Sequence, residues 1–139
     1  NVLGLKDANS TEMNPKTSVP IIDLMYDQKK VTEKGGTMRL GAYDCSLQKE
    51  SKAFQAYGIS NISERHRHRF ELNNKYKSAL ENAGLIATGI NKENNLVEVV
   101  EIACHPWFVG VQFHPEFKST VDSPHPLFIG FIKACINQK

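Results

Sequence analysis

The residue types and spacing best suited to chemistry are His114 and Glu116, in the run Gln112-Phe113-His114-Pro115-Glu116. In an extended chain, side chains two apart share a face, so the carboxylate can reach the imidazole. A histidine oriented by a carboxylate is the base half of a nucleophilic triad. Glu116 would fix the tautomer of His114 and stabilise its imidazolium while His114 takes a proton from a nucleophile. Pro115 cannot donate to a central ladder, which puts the pair where a strand leaves its sheet. Carboxyl ends of strands are where open α/β sheets keep their sites. The same two residues would equally serve as a hydrogen-bonded pair for the fold alone. No nucleophile is legible: there is no GxSxG or GxCxG elbow. The three cysteines, Cys45, Cys104 and Cys135, read as small buried apolar residues.

A second cluster is Glu64-Arg65-His66-Arg67-His68-Arg69. In a strand it divides into Arg65, Arg67 and Arg69 on one face and His66 and His68 on the other. One arginine can clamp a carboxylate in bidentate fashion, or the patch can bind phosphate; a solvated basic edge is the plainer alternative. Zinc on His66 and His68 with a distant His105 or His114 matches no recognised ligand spacing, so no metal is expected. The loop Asn9-Ser10-Thr11-Glu12 offers a carboxylate that can receive an ammonium group, or simply a cap. His105 and His125, each followed by proline, mark turns.

These residues need a scaffold, and the chain has the means to build one. At 139 residues, 40% hydrophobic and 23% charged, it has the balance of one globular domain or part of a larger one. Its 17 basic and 15 acidic residues are too even to predict nucleic acid or a membrane surface as partner. Three widely spaced cysteines make no disulfide framework, which suits a reducing, cytoplasmic setting. No apolar run reaches the roughly 18 residues of a membrane helix.

Strands are expected at Val19 to Met25, with Pro20 at its start or on an edge, and at Arg67 to Leu72. A hairpin of Leu85 to Gly89 and Leu96 to Ile102 and a strand from Trp107 to Phe113 follow, the last buried on both faces. Gln28 to Lys34 reads as exposed. Helices are expected at Ser51 to Tyr57, stopped by Gly58, and at Asn74 to Ala83, stopped by Gly84. A third, starting at Pro126, carries Leu127, Phe128, Phe131, Ile132 and Cys135 on one face. Gly35-Gly36 before Thr37-Met38-Arg39-Leu40-Gly41 implies a sharp turn or a close approach. The order predicts an α/β domain with helices covering a mixed sheet.

Taken together, Asn9 to Glu12 as NSTE, Gly35 to Gly41 as GGTMRLG, Glu64 to Arg69 as ERHRHR, His105 to Val109 as HPWFV and Gln112 to Phe117 as QFHPEF resemble the glutaminase domain of the CTP synthase family. The motifs run from near residue 1 to near residue 128. HPE alone would imply only a class I glutamine amidotransferase; GGTMRLG with RHRHR is what points to CTP synthase. The resemblance implies that glutamine is bound by Glu12 and Arg69, that His114 is the general base and acid, and that Glu116 orients it. It implies a homo-oligomeric, tetrameric parent ligase of pyrimidine biosynthesis, making CTP from UTP with ATP, magnesium and glutamine, with GTP as a candidate activator. The family's GxCLGxQ elbow, oxyanion loop and first strands have no counterpart here, nor has the synthetase domain. The expectation is therefore a partial amidotransferase domain, exposing apolar surface and strand edges, holding no cofactor itself and inactive alone. Two alternatives are another class I glutaminase subunit and a non-catalytic anion-binding module.

Overall fold

The structure, a computed structural model, describes residues 4–24 and 38–138. The Gln28 to Lys34 stretch, Met25 and Gly35 to Thr37 lie outside the described residues. In chain order the elements are β1 (Ala8–Ser10), β2 (Val19–Leu24), β3 (Arg39–Leu47), α1 (Lys52–Tyr57), β4 (Asn61–His68), β5 (Phe70–Leu72), α2 (Lys77–Asn82), β6 (Leu85–Asn91), β7 (Leu96–Ile102), β8 (Val109–Val111) and α3 (Pro126–Ile136). They form two sheets. One has three strands in the order β1-β2-β5, with β1 parallel to β2 and β2 antiparallel to β5. The other has five strands in the order β4-β3-β6-β7-β8, all antiparallel.

Local chemistry accounts for several boundaries. The Ser51 side chain accepts the Phe54 N–H and starts α1, and Gly58, at φ 72, ends it in the left-handed region. Pro126 occupies the first turn of α3, where a missing N–H costs nothing. The hairpin of β6 and β7 forms as expected, with β6 running two residues past Gly89 to Asn91. Cys45, Leu47, Ala53, Ile62, Val99, Phe113 and Leu127 make the core, drawn from β3, β4, β7, the segment after β8, and two helices.

Four expectations are corrected. Arg67 to Leu72 is not one strand: β4 ends at His68 and β5 begins at Phe70 in the other sheet, so Arg69 sits at the junction. Asn74 to Tyr76 is a 3-10 turn, and only Lys77–Asn82 is α-helical. Trp107 to Phe113 is not a strand buried on both faces. Its ordered part, β8, is three residues long, half-buried and at the sheet edge. An apolar run signals burial but cannot say whether the covering partner is a neighbouring strand of the same segment of chain. Finally, Cys104 and Cys135 are exposed, and only Cys45 is buried.

The apolar face of α3 is largely bare: Leu127 is buried, while Phe128, Ile129, Phe131, Ile132 and Ile136 are exposed. Beside β8 an apolar cavity of about 240 Å³ opens between Ile22, Leu72, Val97 and Val111. Both features match the expected exposure of apolar surface and edges. Among the described residues no helix is long and apolar enough to cross a membrane.

Candidate functional site

Three strand ends deliver the predicted site residues. Glu12 follows the carboxyl end of β1, Arg69 that of β4, and His114 lies three residues past β8. Asn9 and Ser10, expected in a loop, belong to β1, and the chain then turns through Thr11 to Met13. Glu12 and Arg69, 57 positions apart in the chain by their numbers, line one cavity of about 340 Å³. Met38, His68, Phe70 and Gln112 share its wall. One acidic residue and two basic ones, Arg67 as well as Arg69, thus line a common space of small-molecule size. Gln112 stands two residues before His114, so the cavity abuts the histidine turn.

His114 and Glu116 do pair, with Nδ1 2.6 Å from Oε1. The reason differs from alternation along a strand. Pro115–Lys118 is a 3-10 turn, and it is this turn that brings the carboxylate back beneath the ring. The hydrogen bond from His114, followed by one from the backbone N–H of Glu116, holds the Glu116 carboxyl below its ordinary range. An ionised carboxylate can only accept, so Nδ1 carries the proton and the Nε2 lone pair is left for a proton transfer. Phe117 stacks on the imidazole at 4.8 Å between centroids, and the His114 N–H donates to the Arg65 carbonyl at 2.9 Å.

Strand β4 alternates as its sequence predicts: Ile62, Glu64 and His66 are buried, while Ser63, Arg65 and Arg67 are exposed. The buried histidine does meet His68, with Glu98 as the third group of the cluster. His66 Nδ1 lies 2.8 Å from His68 Nε2 and 3.6 Å from Glu98 Oε2. His66, His68 and Glu98 have the compactness of a metal-ligand set. Arg39 already neutralises Glu98 through a direct ion pair, and a divalent cation there would be forced against the guanidinium.

Arg39 was not legible as a structural centre. It is 4% exposed, pairs with Glu98 on β7, approaches Glu71 on β5 to 3.6 Å and lies over the Tyr43 ring at 4.2 Å. It therefore ties the two sheets together beside the Arg69 junction. The signal that could have found it is Glu98, one of two carboxylates inside the valine-rich run of β7. Such a residue at a buried position requires a cation.

Burial and then the Glu98 charge push the Glu71 carboxyl up to about 8, against the pull of Arg39. Burial, with the Arg39 charge behind it, pushes His66 down to about 3 and His68 to about 4, from an ordinary 6.5. The signs fix a pH profile. Above 6.5 the raised carboxyls decide, Glu71 and also Glu98, which burial pushes up: the folded chain retains protons the unfolded chain has lost, so stability falls as pH rises toward 8. Below 6.5 the unfolded chain protonates its histidines and the folded one does not, which destabilises the fold. Down to 4.5 the two raised carboxyls oppose this, and below 4.5 the loss is unopposed. Urea midpoints of the complete domain are expected to peak between pH 4.5 and 6.5 and to fall on either side. Glu71→Gln should weaken the alkaline decline, leaving the share that belongs to Glu98.

Residues 11–134 match the Glutamine amidotransferase class-I family. The chain is 66% identical over 134 residues to a CTP synthase of Christiangramia forsetii, covering 96% of this chain and 24% of that protein. To a CTP synthase of Cytophaga hutchinsonii it is 64% identical, covering 96% and 25%. It thus spans about a quarter of the length of these curated relatives. Among solved structures, the Trypanosoma brucei CTPS glutaminase domain with bound acivicin superposes with a TM-score of 0.89 at 35% identity. The match covers 99% of this chain and 53% of that one. A histidine–glutamate pair past an edge strand, a charged small-molecule cavity beside it and a match across most of the chain lead to one assignment: the chain belongs to the glutamine amidotransferase class-I family.

Proposed function

We propose that this chain is the histidine–glutamate half of the glutaminase domain of a CTP synthase. The observation that carries the reading is the cavity shared by Glu12 and Arg69 beside the His114–Glu116 pair. Free glutamine has an ammonium and a carboxylate at one end. Glu12 and Arg69 are the matching charges, Arg69 able to engage the carboxylate in bidentate fashion. His114 Nε2 takes the proton of a cysteine thiol, the thiolate attacks the side-chain amide carbon, and His114 returns the proton to the departing ammonia. Water, deprotonated by the same nitrogen, then cleaves the thioester to glutamate. Glu116 holds the ring and stabilises its cationic form throughout.

The thiol belongs to a segment of the parent protein other than these residues. Cys45 is unsuited to the task, because burial pushes it up to about 12. In the parent enzyme the ammonia converts UTP to CTP in a synthetase domain that uses ATP and magnesium, with GTP as activator, in a cytoplasmic homo-oligomer. The support for this wider reading is the likeness to CTP synthases and the GGTMRLG and RHRHR motifs.

The test is Arg69→Met in the parent protein. Loss of a charge-assisted bond should raise the glutamine KM roughly 10-fold or more, with a smaller change in kcat. An unchanged KM would remove Arg69 from the site and leave the cavity without its glutamine assignment.

A further inference from the structure

A buried carboxylate outside the pair just described lies on β4, against the turn that carries Glu116. Glu64 is 2% exposed and gathers three elements around it. Its Oε1 accepts the Tyr57 hydroxyl of α1 at 2.9 Å and lies 3.1 Å from His125 Nε2, at the start of α3. His125 Nδ1 accepts the Leu127 N–H, so Nε2 is the protonated nitrogen and donates to Glu64. On the other side, Glu64 Oε2 faces the Lys118 ammonium at 3.8 Å. Lys118 ends the 3-10 turn that carries Glu116, and its Nζ also donates to the Ser63 carbonyl at 2.6 Å. At the front of that turn the His114 N–H is held by the Arg65 carbonyl. Both ends of the turn are therefore fastened to three consecutive residues of β4, and the central one is the buried anion.

We propose that Glu64, acting through Lys118, is a positioning residue that fixes the His114 imidazole for proton transfer. This rests on the reading of His114 as the glutaminase base. The turn is exposed on its outer side, with the Glu116 side chain 56% and the Lys118 side chain 46% accessible, so its placement against the sheet rests on its contacts with β4. A fixed anion below the lysine supplies the constraint, and small displacements of a catalytic group are costly in rate.

The experiment uses the parent protein with Lys118→Met, Lys118→Arg, Glu64→Gln and His114→Ala. It combines steady-state glutamine hydrolysis with NMR of the labelled histidine ring nitrogens. Lys118→Met is expected to lower kcat about 10-fold, leave the glutamine KM within about threefold and leave the melting temperature unchanged. The His114 Nδ1 proton signal should broaden or shift, and Lys118→Arg should restore both rate and signal. Glu64→Gln should follow Lys118→Met; if it does not fold, Lys118→Met alone decides. Unchanged kcat and an unchanged His114 signal in Lys118→Met would overturn the proposal, while an inactive His114→Ala would leave the glutaminase reading in place. Conversely, a shifted signal in Lys118→Met beside a fully active His114→Ala would sustain the positioning role and overturn the glutaminase reading.

Discussion

His114→Ala in the parent protein is expected to lower kcat for glutamine hydrolysis by at least about 100-fold, the scale of a lost general base. Three features of the structure make the effect fall on kcat. The ring does not line the cavity shared by Glu12 and Arg69, so glutamine binding should survive. Its Nδ1 is committed to Glu116 at 2.6 Å, leaving Nε2 as the atom that moves the proton. The turn is held by backbone bonds, among them Phe117 N–H to the His114 carbonyl at 3.1 Å, and these do not need the imidazole. Glu116→Gln should cost less, because an amide oxygen can still accept from Nδ1 but no longer balances an imidazolium charge. Wild-type activity in a folded His114→Ala protein would return the pair to a role in the fold and bring the anion-binding module forward.

Arg39→Met is expected to be the most damaging single change to stability, at about 3–5 kcal/mol, the range for removing one partner of a buried ion pair. Two carboxylates explain the size. Glu98 is 1% and Glu71 4% exposed, and both keep company with the one guanidinium. Without it the Glu98 charge is stranded in a medium that does not solvate it, beside a Glu71 carboxyl that, pushed up to about 8, is already largely protonated at neutral pH. Chemical denaturation of the complete domain measures the loss directly. A double substitution, Arg39→Met with Glu98→Gln, should recover part of it, because the stranded charge goes with its partner. A destabilisation below about 1 kcal/mol, the scale of an exposed pair, would mean that Arg39 is solvated and does not tie the sheets.

The two predictions differ in how far the sequence foresaw them. His114 and Glu116 lie two residues apart, and their pairing was readable although its geometric reason was not: a 3-10 turn, entered at Pro115, replaces the extended strand. Arg39 was visible only as a letter of GGTMRLG. Its partners lie 32 and 59 positions along the chain by their numbers, on strands whose adjacency no local pattern encodes. His125 shows the same limit. Followed by proline it reads as a turn, and it does cap α3, yet it is 2% exposed and bonded to Glu64.

The sequence by itself determined whatever depends on neighbours along the chain. The alternation that buries Glu64 and His66 and exposes Arg65 and Arg67 is one instance; the Ser51 and Gly58 caps of α1 are another. The motif set that identifies the family is a third. These follow from the periods of strand and helix and from φ preferences, which act over a few residues. Tertiary structure alone decided that Arg69 stands at the break between two sheets, that Glu12 shares its cavity, and that Arg39 holds two buried carboxylates. Each depends on which strands lie side by side, and a charge can remain buried only where that packing brings its counter-charge.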